Sequence, residues 1–177
     1  MEGANAAKVG HMQRDLQKIV DFAEYWLSKS ADGRLPCFGD LLPEEMFRAL
    51  PNLVVWEVLD GGEDFRCRLC GEDLNRNYGW NPTGQRLNAI AEENPSIAVF
   101  GNNFRLCLTQ ARPITVIDNF RGHQGTVKRT IGVIAPLAGP AGEISDLVCC
   151  SLYITNGELG EADRQLSALF QRIESRL

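Results

Sequence analysis

DFRCRLCGEDLNRNYGWNPTGQRL, residues Asp64 to Leu87, decides how this chain is read. Its first seven residues are strand-like and end at Gly71. A polar helical stretch follows, stopped at Tyr78-Gly79, and Pro82 and Gly84 mark a second turn. Just upstream, LVVWEVL (Leu53 to Leu59) is rich in β-branched and aromatic residues, and only Asp60-Gly61-Gly62-Glu63 separates the two runs. Two such runs across a tight glycine turn predict a hairpin. The hairpin feeds directly into short helices, from Gly71 to Tyr78 and from Leu87 to Ala91.

Working outward, Leu16, Ile19, Val20, Ala23, Trp26 and Leu27 repeat at helical spacing and predict a helix from Met12 to Ser30. A short helix is expected from Glu44 to Leu50, just after Pro43. Asn94-Pro95 is a cap residue followed by the residue favoured at a first turn, so a longer helix should run from there to Gln110. Ile97, Phe100, Phe104, Leu108 and Ala111 form its apolar stripe. Strands are predicted at Ile114 to Phe120, Thr126 to Leu137 and Ile144 to Thr155, joined by the glycine-bearing loops RGHQG and AGPAGE. A last helix is expected from Glu158, with capping-box spacing to Thr155 and a stripe of Leu166, Leu169, Phe170, Ile173 and Leu177.

Two strands, short helices, one long helix and three strands without crossovers make an α+β fold. The expected architecture is a five-stranded antiparallel sheet with helices on one face and flanking N- and C-terminal helices. The division is a tail and amphipathic helix over 1–33, a core domain over 34–155 and a C-terminal helix over 156–177. In the first strand Leu53, Val55 and Leu59 share one face while Val54, Trp56 and Val58 share the other, so both faces need cover. The core helices can take one. The N-terminal helix or a second subunit must take the other.

The net charge of −5 argues against nonspecific binding to nucleic acid or to an anionic membrane. No apolar run approaches a membrane span, and the first residues lack the apolar core of a signal peptide, so a cytoplasmic protein is expected. Six cysteines in a reducing compartment read as small buried hydrophobes. Cys67 and Cys70 form a CxxC, but a spacing of three in a regular strand puts the two thiols on opposite faces. No second CxxC or histidine pair completes a zinc set. Strand packing is therefore expected, with no metal.

The element order and NRNYGWNPTGQRL (Asn75 to Leu87) resemble a PAS domain, whose motif there runs from a short helix through an aromatic-glycine pair to a glycine turn. LPCFGDLLPEEMFRALPNLVVWEVLDGGEDFRCRLCGEDL (Leu35 to Leu74) resembles, more narrowly, a family of uncharacterised bacterial single-domain PAS proteins. Members share an LP, D, P, LP lead-in, a DGG hairpin and a YRLxGTxL-type strand. Here Cys67 replaces the usual tyrosine and Glu72 the usual threonine, and the likeness covers Arg34 to Thr155.

That resemblance implies a pocket between the long helix and the sheet, of the kind that holds haem, flavin or small metabolites. Haem is disfavoured because it needs an axial ligand, and neither His11 nor His123 lies on the long helix. A photoactive flavin is disfavoured because NYGWNPTGQRL carries no cysteine. A small organic ligand remains open, held by Phe100, Phe104, Leu108 and Ile131, with Arg105 or Arg129 as a charged anchor and Tyr78 and Trp80 at the mouth. The same residues read equally as a filled core, which is preferred because aromatic stripes at helical spacing usually pack. No nucleophile and base pair is evident, so an enzyme is not expected. The expected role is a sensory or regulatory homodimer, joined by the N-terminal helix and the sheet face, that signals to a protein partner. A ligand-free dimerisation scaffold is the alternative, and a small-molecule enzyme ranks third.

Overall fold

The structure, a computed structural model, describes residues 2–30, 33–121 and 127–155 and the single positions 171 and 175. The C-terminal helix expected from Glu158, His123 and most of its loop lie outside the described residues.

Five strands form one antiparallel sheet: β1 (Leu53–Leu59), β2 (Asp64–Cys70), β3 (Ile114–Arg121), β4 (Val127–Ala138) and β5 (Ile144–Thr155). Their order is β2-β1-β5-β4-β3, so the N-terminal hairpin docks against the last strand and β2 and β3 are the edges. Among the described residues four α-helices join the sheet: α1 (Glu2–Lys29), α2 (Glu72–Tyr78), α3 (Leu87–Glu93) and α4 (Ala98–Gln110). A 3-10 turn, Pro95–Ile97, leads into α4, and Asn94 Oδ1 accepts the Ser96 N–H as its cap. The helix expected at Glu44 to Leu50 is instead a series of turns before a 3-10 turn at Leu50–Asn52. Pro51 disfavours α-helical geometry at the residue just before it, which closes this segment.

Alternation along the strands builds two cores. On the outer face α1 presses Leu16, Ile19, Val20, Phe22, Ala23 and Trp26 onto Leu53, Val55, Ile131, Val133, Ala135, Leu137, Val148 and Cys150. Trp26 is 2% exposed, and its indole N–H donates to Pro136 O at 3.2 Å. The helix stripe and the sheet face thus bury each other within one chain. The contact that the described stripe of α1 makes with the sheet is therefore intramolecular.

On the inner face α2, α3 and α4 cover Val54, Trp56, Phe65, Cys67, Ile114, Phe120, Ile134, Leu147 and Cys149. Asp64 Oδ1 accepts the backbone N–H of Asn88 in the first turn of α3 at 3.1 Å, which ties that helix to the hairpin. Gly71 must be glycine: a Cβ there would lie 2.5 Å from both Leu50 O and Pro51 O. That close approach is why the strand ends at this residue and the chain can turn into α2.

One local irregularity overturns a sequence expectation. Trp56 pairs with Cys67 and Val55 with Leu69, which leaves Arg68 as an extra residue in β2. This bulge resets the alternation, so Cys67 and Cys70 both pack on the inner core instead of on opposite faces. Cys149 and Cys150 do face opposite ways, Cys149 inward and Cys150 toward α1.

Candidate functional site

The inner face holds a cavity of about 20 Å³ between α4 and the sheet. Its apolar wall is Val54 and Trp56 from β1, Tyr78 from α2, Phe100 and Phe104 from α4, Val116 from β3 and Ile134 from β4. Its polar edge is Asn103 from α4, Asp118 from β3, Thr130 from β4 and Ser151 from β5, with Cys149 and Tyr153 beside it. The rings interlock: Trp56 and Phe65 both meet Phe104, with centroids at 5.6 and 5.0 Å, while Tyr78, Phe120 and Tyr153 form a second group at 5.0 to 5.9 Å.

Gly132 helps to keep the space. It lies on the inner face between Thr130 and Ile134, where a Cβ would run into Cys150 O and come within 2.7 Å of Ser151 Oγ. No side chain can fill the cavity from that position.

The polar edge is incompletely satisfied. Asn103 Nδ2 donates to Asp118 Oδ2. Partial burial raises the Asp118 carboxyl above its ordinary range, and the Asn103 bond pulls the other way. Thr130 is 4% exposed, and its hydroxyl has no hydrogen-bond partner. The Tyr78 and Tyr153 hydroxyls share a hydrogen bond, and burial pushes both phenols up. A space of this size and lining has room for one water and the partners to hold it. A larger guest would need the rings to part.

Of the residues expected at a site, Tyr78, Phe100 and Phe104 line this cavity. Trp80 lines a smaller neighbouring void of about 10 Å³ with Tyr78, Pro82 and Ile97. The others are elsewhere. Arg105 donates to Gly62 O and Glu63 O, both at 3.0 Å, and so clamps the hairpin loop. Leu108 packs against that loop, where a Cβ on Gly62 would lie 2.8 Å from its Cδ1. Ile131 belongs to the outer core, and Arg129 shares its side of β4. The error is one of parity: a strand alternates, and Thr130 and Ile134 are the inward positions. Asn103 carried a readable signal, since it lies three residues after Phe100 on the same helix face. Asp118, Ser151 and Tyr153 carried none without the strand register.

Among the described residues no group of three or more His, Cys, Asp or Glu side chains comes together as a metal site. No described helix is long and apolar enough to cross a membrane.

No family model and no curated protein matches the chain. Solved structures do. An RNA-binding light-oxygen-voltage (LOV) receptor matches with a TM-score of 0.51 and 17% identity over 80% of this chain and 40% of its own. A LOV protein of Rhodobacter sphaeroides matches with a TM-score of 0.49 and 12% identity, over 76% of this chain and 82% of its own. A LOV domain studied with a flavin analogue has the same TM-score and identity, over 71% and 93%. The narrower likeness to uncharacterised bacterial single-domain PAS proteins finds no support in these comparisons.

The neighbour with a TM-score of 0.51 is a LOV receptor, so the expectation that disfavours a flavin does not stand. As packed, the residues do not admit an isoalloxazine ring: the space is about 20 Å³, and the ring needs the aromatic cluster opened. Strand order, the helix-covered inner face and the likeness to LOV structures identify the fold as that of a PAS domain.

Proposed function

We propose that this chain is a sensory or regulatory module that takes a small organic ligand into the inner-face cavity and passes on its state through protein contacts. One observation carries the reading: a buried hydroxyl, Thr130 Oγ1, stands unpaired at the edge of an otherwise apolar, ring-lined cavity. An unpaired buried polar group costs roughly 1–3 kcal/mol, and a ligand atom that pairs with it recovers part of that cost. The ligand class is a small, flat molecule with a hydrogen-bonding edge. Its binding must favour the opened packing over the closed one, because equal affinity for both shifts nothing. A homodimer formed outside the contact between α1 and the sheet belongs to the same proposal, and sedimentation velocity checks it.

The test is native mass spectrometry of the purified protein, together with its visible absorption spectrum. A retained small molecule, lost in Thr130→Trp but kept in a variant of the outer face, supports the reading. A second reading, a ligand-free scaffold, draws on the small size of the cavity. Repeated absence of any bound molecule, with no thermal shift across a panel of flavins and aromatic metabolites, would favour it. Catalytic turnover of a panel compound, abolished by a substitution at Asp118, would replace both with an enzyme.

A further inference from the structure

The CxxC of β2 has no part in the cavity, yet the bulge at Arg68 gives it a geometry that a regular strand forbids. Cys67 is opposite Trp56 and Cys70 is opposite Val54, so three steps along β2 span only two along β1. At about 3.4 Å per residue the two Cα atoms are then roughly 7 Å apart, against the roughly 10 Å of a regular strand. A disulfide needs about 4.4–6.8 Å, so only a small further approach is required. Both thiols lie on the same side of the sheet, Cys67 at 1% exposure and Cys70 partly open. The bulge is held from the opposite face: Arg68 Nη1 donates to Asp146 Oδ1 at 2.7 Å, and its guanidinium lies 4.9 Å from the Phe38 ring centre.

We propose that Cys67 and Cys70 are a built dithiol modification site, closed to an intramolecular disulfide by hydrogen peroxide or a small organic peroxide. The two sulfurs play different parts. Cys70 hydrogen-bonds to Cys67, and with help from Thr83 and the Leu69 backbone this lowers the Cys67 thiol against the opposing effect of its burial, while the Cys70 thiol is raised. Burial pushes up Cys107, Cys149 and Cys150 with no hydrogen bond from a second thiol to offset it. The Cys67 thiolate attacks one peroxide oxygen. An S–O bond forms, the O–O bond breaks, and the leaving hydroxide or alkoxide takes up a proton. The Cys70 sulfur then attacks Cys67: the S–S bond forms, the S–O bond breaks, and water leaves with the Cys70 proton. Two thiols lose two electrons and two protons in all, and one peroxide is reduced to two waters, or to water and an alcohol. A small dithiol reverses the step by exchange.

Closure would be felt at the cavity. The Cys67 N–H donates to Gln85 O at 3.0 Å, and the Cys67 carbonyl accepts the Gly84 N–H at 2.7 Å. Cys70 O accepts from Asn75 Nδ2 at 3.3 Å within α2, the helix that ends in Tyr78. Shortening the strand end pulls on both attachments.

The experiment treats the reduced full-length protein with hydrogen peroxide, alkylates it under unfolding conditions and maps the peptides. Expected is a loss of about 2 Da in a Cys67–Cys70 cross-link, reversed by dithiothreitol, with the other four cysteines alkylated. Cys70→Ser should trap a dimedone-reactive sulfenic acid on Cys67, and Cys67→Ser should trap none. The native chain should react about tenfold or more faster than the same chain in urea, and Arg68→Ala should narrow that gap. Equal rates in native and unfolded chain, or a cross-link to any other cysteine, would overturn the proposal. So would native protein whose six thiols all remain after peroxide.

Discussion

On the outer face of the sheet, among the described residues, one long helix supplies most of the cover, with Leu41 and Ala49 of the connector at its margin, and its buried contact is mainly apolar beside the Trp26 indole on Pro136 O. The inner face is covered by three shorter helices, and a polar edge of Asn103, Asp118, Thr130 and Ser151 interrupts its rings. Adjacent residues of β4 show the contrast directly: Val133 lies in the filled outer core, and Ile134 lines the inner cavity. One continuous apolar stripe can mate with a sheet along its length. Three short elements meeting at angles leave a gap where their ends converge. The outer face is therefore the more completely filled side, and the inner face keeps the free space.

The largest expected effect tests the outer face. Trp26→Ala should cost about 3–5 kcal/mol in urea unfolding, as large buried aromatics do. A loss of less than about 1 kcal/mol would mean that α1 is not part of the folded core. Trp26→Glu should undock the helix outright, since it puts a charge into that buried contact.

Adding a methyl group should separate the two faces. Val133→Ile overpacks the outer core and should cost about 1–3 kcal/mol, whereas Val116→Ile points into the inner cavity and should cost under about 1 kcal/mol. Equal penalties would erase the distinction. Thr130→Val keeps the shape and removes the unpaired hydroxyl, so it should be neutral or stabilise by up to about 1 kcal/mol. A clear loss of stability would show that the hydroxyl is satisfied in solution.

The smallest effect depends on pH. The folded state raises the Asp118 carboxyl, so it binds the proton more tightly than the unfolded chain does. The stabilising contribution is present at acid pH, below the unfolded value, and is lost as pH rises through the folded value. Asp118→Asn should therefore raise the melting temperature at neutral pH, and the gain should shrink on acidification. A gain that grew as the pH fell would reverse the assignment. Thermal melts across the acid range decide it.

Much of the fold was legible from local signals. The ranges Leu53–Leu59, Asp64–Cys70 and Ile144–Thr155 were readable to the residue, because turn residues bound them on each side. Tyr78, Phe100 and Phe104 were readable as cavity residues from the helix stop and the helical stripe. Arg129 and Ile131 were misplaced because parity in β4 depends on which strand it pairs with. Asp118 and Ser151 reach the cavity from β3 and β5, 33 positions apart in the chain, through pairing with β4 that no local pattern announces.

Sequence alone determined the five strands, the helices between β2 and β3, the antiparallel arrangement and the need to cover both faces of β1. Periodicity and turn chemistry act over a few residues, so they can be read without the fold. Tertiary structure alone decided that α1 takes the outer face in its own chain, and that three short helices leave a cavity on the inner one. It also decided that the extra residue at Arg68 brings Cys67 and Cys70 to one side. Each of these follows from register and packing between distant segments, where the energy of contact lies in the partner and not in the local sequence.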